Sequence, residues 1–333
     1  MQNIYLVDFM NETEVSDRTH VLHSFFYVKK DRFALFKKSK ERTQTHGIKI
    51  FLDSGAYSAF TKKIKVDIQE YIDFIKTHQD SIHMYSNLDD ITCPVNTYKN
   101  QKIMEKAGLN PLPVFHYKEN ITYLYKYIEE GYEYLGLGGL VPIGNSDLAR
   151  WLDTMFINEL SYKDGLPKIK LHGFGLTSPK LMLRYPWYSV DSTAWMKRAF
   201  YGGIYIPSFH NGKFSYNENC FNTYISNRRN TALHSNYKIL APAVRKVIQD
   251  YLKEVEVGLG VSEVKKVPPE YKLQENEKWW NKEKTEVEVI KEKGVLNDGV
   301  SRLIVNARFF DRFVNATTDW PWAFKINHIP GFF

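Results

Sequence analysis

Short apolar runs alternate with amphipathic segments over the first two-thirds of the chain. Eight runs have the length and the β-branched or aromatic content of buried strands, and they cover 4–9, 48–55, 83–89, 112–117, 134–139, 170–175, 187–192 and 203–207. Most of the intervening segments have the period of amphipathic helices, above all 66–79, 95–108, 119–131 and 145–160. Eight strands that alternate with helices predict an α/β fold, a (β/α)8 TIM-like barrel. A doubly wound open sheet is the alternative.

The pattern changes after Pro207. Residues 208–220 are polar and predict a hairpin or excursion, and 239–256 predict a helix. Residues 262–296 are dense in Lys and Glu, which is typical of an exposed helical or mobile segment. The tail from 301 is aromatic and is expected to pack back on the barrel. We therefore predict a barrel core over 1–207. Residues 208–333 would supply insertions and a C-terminal helical extension packed on the barrel.

Composition narrows the possible classes of protein. No run of 18 apolar residues exists, so no membrane span is expected, and the first residues lack the basic region of a secretory signal. Cys93 and Cys220 are the only cysteines, which predicts a reducing, cytoplasmic setting and no zinc site or other metal. A net charge of +7, with 22 Tyr, 21 Phe and 7 Trp, permits a nucleic-acid partner without requiring one.

The strongest chemical signal lies where two predicted strands end. The apolar run 48–52 ends at Asp53, within the segment FLDSGAYSAF, and a short β-rich run ends at Asp191, within the segment WYSVDSTAW. The carboxyl ends of parallel barrel strands meet at one rim, so the two carboxylates are expected to lie together. Taken singly, each Asp serves equally well as the cap of the helix that follows.

Other predicted strands also end in polar or small residues. These are Asp89, Asp90, His116, Gly138, Gly139, Leu140, His172 and Gly173. Carboxylates and imidazoles at several strand ends exceed what solvation requires, and glycines allow a ligand to approach the backbone. The set as a whole therefore predicts an active site.

These motifs resemble the tRNA-guanine transglycosylase superfamily, and most of all its DNA-modifying branch, the DpdA-type 7-deazaguanine DNA transglycosylases. Asp53-Ser54-Gly55-Ala56-Tyr57 is similar to the family's Asp-Ser-Gly-Gly-aromatic motif, and Asp89-Asp90-Ile91-Thr92 to its Asp-Glu-Cys-Thr segment. Gly138-Gly139-Leu140 matches Gly-Gly-Leu, and His172-Gly173-Phe174-Gly175 is similar to Met-Gly-Val-Gly. Asp191 falls on the family's nucleophile. The resemblance covers slightly under half of the chain.

The resemblance implies a barrel enzyme that exchanges guanine in a nucleic acid for a free 7-deazaguanine base, preQ0-like or preQ1-like. Asp191 would be the nucleophile and Asp53 the general acid and base, with no cofactor. The base would contact Tyr57, Asp89, Asp90, His116, Gly138, Gly139, Leu140, His172 and Gly173, with Tyr57 and His172 on its two faces. Lys197 and Arg198 match the family's paired arginines loosely and would hold the nucleic-acid backbone. Apart from the resemblance, Arg228 and Arg229 are basic residues that could do the same, with ordinary surface charge as the alternative.

The departures from the family pattern bear on the substrate. The zinc site of the tRNA enzymes, Cys-x-Cys-x-x-Cys with a distant His, is absent from the chain, which favours DNA over tRNA as the partner. His116 stands where the family has Gln, and Ala56 where it has a second Gly. A zinc-less tRNA enzyme, a non-catalytic nucleic-acid-binding partner and a glycoside hydrolase stay open as alternatives. The sequence leaves the inserted base and the oligomeric state undecided.

Overall fold

The computed structural model describes residues 1–7, 16–141, 143–176, 178–228 and 236–325. It divides into two compact units. The first comprises Met1–Thr193 and the chain from Phe313 onward, and the second comprises Ala194–Arg312. Each unit has a hydrophobic core of its own.

The first unit contains a parallel sheet of eight strands. They are β1 (Asn3–Val7), β2 (Thr19–Ser24), β3 (Ile50–Asp53), β4 (Ile82–Tyr85), β5 (Val114–His116), β6 (Tyr134–Gly138), β7 (Lys170–Gly173) and β8 (Ser189–Ser192). Their order is β4-β3-β2-β1-β8-β7-β6-β5. The edge strands β4 and β5 are linked by an isolated parallel bridge between Ser86 and Leu112, and no continuous ladder joins them in the described chain. The fold is therefore an α/β fold with a curled eight-stranded sheet, consistent with a TIM-like barrel.

Helices connect these strands and cover the sheet. They are α1 (Phe25–Tyr27), α2 (Phe33–His46), α3 (Ala56–Thr61), α4 (Ile68–His78), α5 (Pro94–Lys106), α6 (Thr122–Glu129), α7 (Asn145–Met155) and α8 (Pro179–Arg184), with π-helical turns at Val28–Arg32 and Phe156–Leu160. The four predicted helices of this unit are confirmed. In α4, the Asp67 side chain accepts the N–H of Glu70 as N-cap, and Ile72 and Ile75 are buried in the core with Ile50.

One strand of the sheet was not predicted, and one predicted strand belongs elsewhere. β2 has no apolar run because polar side chains are buried along it: His20 lies against the Tyr5 ring, and His23 contacts the Ser39 hydroxyl at 2.9 Å. The predicted eighth strand, 203–207, does form, but it pairs antiparallel with Phe221–Tyr224 in the second unit. The first segment of the barrel-like unit therefore ends at Thr193, before the predicted boundary at 207.

The second unit combines short strands with helices. Its strands are β9 (Gly203–Ile206), β10 (Ser208–His210), β11 (Lys213–Ser215), β12 (Phe221–Tyr224), β13 (Val261–Lys266), β14 (Glu277–Trp279) and β15 (Glu286–Glu292). Its helices are α9 (Ala194–Phe200), a 3-10 turn (Tyr237–Ile239) and α10 (Pro242–Glu254), and α11 (Gly299–Ala316) follows. The predicted hairpin is confirmed as β10–β11, and the predicted helix at 239–256 as α10.

One predicted alternative for the charged segment 262–296 was a helix, and this alternative is wrong. The segment instead contributes to a three-stranded antiparallel sheet of order β13-β15-β14. Val and Ile alternate with Glu and Lys in β15, which is the period of a strand rather than of a helix. Glu288 on this strand is fully buried, and it forms salt bridges with Arg228 and Lys278. Part of the charge that suggested a solvated segment is thus internal.

The chain after α11 belongs to the first unit and packs against its other residues. The indole N–H of Trp320 donates to the Pro186 carbonyl at 3.1 Å, and the N–H of Phe324 donates to the Gly165 carbonyl at 2.8 Å. The Phe324 ring stacks on Tyr185, with centroids 5.5 Å apart. Among the helices described, none has the length and apolar character that crossing a membrane requires.

Candidate active site

The turn after β3 holds Asp53 at the carboxyl end of the sheet. Gly55 has φ +80°, and its N–H donates to the Asp53 carboxylate at 3.0 Å. A side chain at Gly55 would collide with Cβ of Phe26 and would lie 2.7 Å from the Ser24 hydroxyl. Both the left-handed conformation and the close approach of β2 therefore require glycine here.

Three carboxyl groups act on one another in this region. Burial, and then the negative charges of Asp89 and Asp191, raise the pKa of Asp53 to about 8, although the Gly55 N–H and the Ser24 hydroxyl lower it. Asp53 therefore carries a proton at neutral pH. The structure brings Asp53 and Asp191 to the same site, as expected for strand ends that share a rim, and the predicted site residue Asp89 lies there with them.

Asp191 lies on β8 and is 5% exposed. Its Oδ1 accepts the N–H of Gly175 at 2.7 Å, and Nε2 of His172 lies 3.3 Å from the same oxygen. Gly175 has φ +67°, which aims its N–H from the loop after β7. A backbone donor at this distance stabilises a negatively charged carboxylate and fixes its orientation.

Asp89 is held by two side chains from neighbouring strand ends. One of its oxygens accepts the Ser54 hydroxyl at 2.9 Å, and the other lies 2.9 Å from Nε2 of His116. The second ring nitrogen of His116 lies 3.1 Å from Glu119, whose carboxylate also accepts the His116 backbone N–H at 2.8 Å. Burial alone would lower the pKa of His116, but the hydrogen bonds with Asp89 and Glu119 raise it to about 9. An imidazolium therefore bridges two carboxylates at neutral pH.

Glu119 was missed by the sequence reasoning. It follows β5 by three residues, and its side chain is 5% exposed. The available signal was the spacing His-x-x-Glu after a predicted strand, which lets a carboxylate reach back to the ring and to the backbone N–H of the same His.

The three residues of Gly138-Gly139-Leu140 have different roles. A side chain at Gly138 would lie 2.8 Å from the His116 ring, so this glycine makes room for the ring rather than for a ligand. Gly139 has φ +68° and is exposed, whereas Leu140 is buried. Only Gly139 offers an accessible backbone of the kind that was predicted.

His172 does not present a ring face to the solvent, so its predicted place on one face of a base is wrong. The residue is fully buried, and its ring lies edge-on to Phe51 and Phe174, with centroids 4.8 and 4.5 Å apart. The reason is its position inside β7, where it faces the interior of the sheet. The adjacent Gly173 packs against Trp187. Tyr57, the other predicted face, is 50% exposed in the first turn of α3.

Asp90 organises the chain that leads into α5. Its carboxylate accepts the N–H and the hydroxyl of Thr92 at 3.0 and 2.9 Å, and the amide of Asn96 at 2.9 Å. Burial opposes ionisation, but these hydrogen bonds lower the pKa of Asp90. These contacts engage the Asp90 carboxylate within the loop, and its role in holding a base stays a prediction.

The residues predicted to hold the nucleic-acid backbone all lie in the second unit or outside the described chain. Arg198 donates to Asn222 at 2.8 Å, and its guanidinium lies over the Tyr205 and Tyr224 rings. Arg228 donates to the Trp279 carbonyl at 2.6 Å and pairs with Glu288. Lys197 is exposed, and Arg229 lies outside the described residues. Internal contacts therefore engage both described arginines.

Comparison of the chain with protein-family models, with curated proteins and with solved structures returned no match. In the part of the chain that the structure describes, no group of three or more His, Cys, Asp or Glu residues could hold a metal ion. The chemistry of the strand-end carboxylates is therefore the basis for a functional assignment.

Proposed function

We propose that the protein is a guanine transglycosylase that acts on a nucleic acid and inserts a 7-deazaguanine base through a covalent Asp191–sugar intermediate. One observation carries the proposal. Two strand-end acids share a site: burial and neighbouring charges raise the pKa of Asp53 to about 8, and Asp191 accepts the backbone N–H of Gly175 at 2.7 Å. Base exchange needs one acid that donates a proton and one carboxylate that attacks the sugar.

In the first half of the reaction, a carboxylate oxygen of Asp191 attacks C1′ of the sugar while the bond from C1′ to guanine breaks. The bonding electron pair leaves with guanine, which takes the proton of Asp53. Negative charge on Asp191 also stabilises the oxocarbenium-like transition state. The products of this half are a glycosyl ester on Asp191, free guanine and ionised Asp53.

In the second half, the incoming 7-deazaguanine gives its ring N–H proton to Asp53. The base then attacks C1′, and the bond from C1′ to Asp191 breaks. Both acids return to their initial states. Burial, together with the negative charges of Asp89 and Asp191, raises the pKa of Asp53 to about 8, and such a value suits a group that must donate and accept a proton in one cycle.

Asp89 is the group that we assign to base recognition. Its two oxygens are oriented by Ser54 and His116, and a carboxylate held in this way can accept both N–H groups of a guanine edge. The backbone N–H of Gly139, an exposed residue, would donate to the carbonyl of the base. A target base must leave its stack to reach such a site, at a cost of a few kcal/mol.

We infer DNA as the polymer, on the net charge of +7 and on the absence of the zinc ligands of the tRNA enzymes from this sequence. We also infer that the sheet is a closed barrel. Leu112 donates to the Tyr85 carbonyl at 2.8 Å and accepts the Asn87 N–H at 2.9 Å, which are bonds that a β4–β5 ladder would contain.

The test is guanine release. The protein is incubated with DNA or tRNA radiolabelled in guanine, together with candidate 7-deazaguanines, and free guanine is separated from the polymer. We expect release from DNA that depends on the incoming base and is absent for Asp191→Asn. Guanine release from neither polymer with any of the bases would contradict the proposal. Release from tRNA alone would identify tRNA as the substrate and would leave the proposed mechanism unchanged.

A further inference from the structure

Three cations surround two neighbouring aromatic rings in the first unit. The Lys30 ammonium lies 4.1 Å from the centroid of the Phe26 ring, and the Lys62 ammonium lies 5.2 Å from it. The adjacent Tyr27 ring has Lys62 at 4.9 Å and the Arg32 guanidinium at 5.1 Å. Lys30 and Lys62 are exposed to solvent. The rings thus hold three positive charges close together at the surface.

The cluster adjoins the candidate active site. Phe26 and Tyr27 follow β2, and Lys62 follows α3, so both segments leave the carboxyl end of the sheet. The backbone of Gly55 packs directly against Phe26, and the N–H of the same glycine donates to Asp53. A ligand bound at the cations is therefore next to the turn that carries the proposed general acid.

The positive charge of this region is concentrated and largely uncompensated. In the two segments that leave the carboxyl ends of β2 and β3, residues 25–32 and 54–65, the sequence has six Lys and Arg residues and one Asp, a local formal charge of +5. Lys29 pairs with Glu70. No carboxylate of the described residues forms a salt bridge with Lys30, Arg32 or Lys62. Like charges held together without acidic partners favour a polyanion as ligand.

Exposed aromatic rings accompany the cations. Tyr57 and Phe60 on α3 are 50% and 55% exposed, and they stand in the chain between Asp53 and Lys62. Cations that follow a phosphate backbone, combined with aromatic rings on which bases stack, are the features that bind single-stranded nucleic acid. An acidic peptide would satisfy the cations but would leave the rings without a matching partner.

We infer that Lys30, Arg32 and Lys62, with the rings of Tyr57 and Phe60, bind the phosphates and flanking bases of the nucleic acid beside the nucleotide that enters the active site. We name this set the β2–β3 surface. The inference rests on the proposed function for the identity of its ligand. It assigns backbone binding to the first unit, whereas the sequence reasoning assigned it to Lys197, Arg198, Arg228 and Arg229.

The test is a binding measurement that needs no catalysis. Affinity for a fluorescent guanine-containing DNA single strand is measured by anisotropy at several salt concentrations, for the wild type and for Lys30→Gln/Lys62→Gln. The control Lys76→Gln/Lys106→Gln removes the same charge from exposed lysines in the last turns of α4 and α5. These helix ends lead into the starts of β4 and β5, at the other end of the sheet. Circular dichroism checks that each variant is folded.

Each phosphate contact on a single strand contributes about 0.7 to the slope of log affinity against log salt. We expect the first double variant to reduce the slope by about 1.4 and the affinity by about 25-fold near 0.1 M salt. The control is expected to change neither. Phe60→Ala should lower the affinity about tenfold without altering the slope, because stacking is not ionic.

Equal losses in the two double variants, or no loss in either, would overturn the inference. So would equally tight binding of polyglutamate, because this ligand has charge without bases. These outcomes are separable from those of the proposed function. Salt-dependent binding at the β2–β3 surface without guanine release would support the binding surface and contradict the proposed transglycosylase activity. Guanine release by the wild type, with unchanged DNA affinity in Lys30→Gln/Lys62→Gln, would support the activity and contradict the binding surface.

Discussion

Replacing Asp53 by Asn is expected to stabilise the protein at alkaline pH while it removes activity. The pKa of Asp53 is raised from an ordinary 3.8 to about 8, first by burial and then by the charges of Asp89 and Asp191. An acid whose pKa is higher in the folded than in the unfolded state binds its proton more tightly when folded. The free energy of unfolding therefore falls as pH rises from about 4 to about 8, and it stays low above that range.

The size of the effect follows from the shift. Each pKa unit corresponds to about 1.4 kcal/mol, so four units set an upper bound of about 5–6 kcal/mol. Asp53 is only partly buried, so water retains some of the solvation of its charge. We expect Asp53→Asn to exceed the wild type by about 3 kcal/mol in free energy of unfolding near pH 8.5, and by little near pH 4.

Urea unfolding at several pH values measures this difference. Asp90→Asn is the matched control, because hydrogen bonds outweigh burial and lower the pKa of Asp90. The ionised Asp90 carboxylate stabilises the folded protein above the ordinary carboxyl pKa, and this contribution is lost as pH falls through the lowered pKa of the folded state. Asp90→Asn should therefore be less stable than the wild type at neutral pH. An Asp53→Asn variant that is no more stable than the wild type near pH 8.5, or a difference that does not change with pH, would refute the reasoning.

Three further predictions concern the same site. Asp89→Ala should weaken binding of a free guanine-like base by about 1–3 kcal/mol in calorimetry, since paired N–H donors lose their acceptor; unchanged affinity would move base recognition elsewhere. Glu119→Gln removes one of the two carboxylates that raise the pKa of His116 to about 9, so the ring should lose its proton at lower pH. Base affinity should then decline as pH rises through the neutral range, whereas the wild type holds its affinity until about pH 9, and identical pH profiles would contradict this. Guanine release should persist in the presence of a chelator, and metal-dependent activity would show that the sequence-based expectation of no metal is wrong.

The sequence predicts the meeting of Asp53 and Asp191 because a strand that ends in a carboxylate is a local pattern. The parallel arrangement then decides where such ends lie. Asp89 is predicted to lie at the same rim for the same reason. The neighbouring Asp90 is engaged instead by Thr92 and Asn96 within the loop. The position of a residue at a strand end thus predicts where its side chain lies, but not which groups form hydrogen bonds with it.

Other features could not be derived from local patterns. β2 was missed because polar side chains are buried along it, and the sheet at 261–292 was missed because charge obscured the two-residue period of Val and Ile. The burial of His172 depends on the rings of Phe51 and Phe174, which come from distant positions in the chain. Such packing is a property of the folded sheet and has no signature in a short segment.

Intact-protein mass spectrometry tests most directly whether Asp191 forms a bond with the sugar. The protein is incubated with a guanine-containing oligonucleotide without an incoming base, and is then denatured with acid. The wild type is expected to show a species with the mass of protein plus oligonucleotide minus guanine, and peptide mapping should locate the bond at Asp191. Asp191→Asn should show no such species. An adduct of the same mass in Asp191→Asn, or guanine release by that variant at the wild-type rate, would contradict the account.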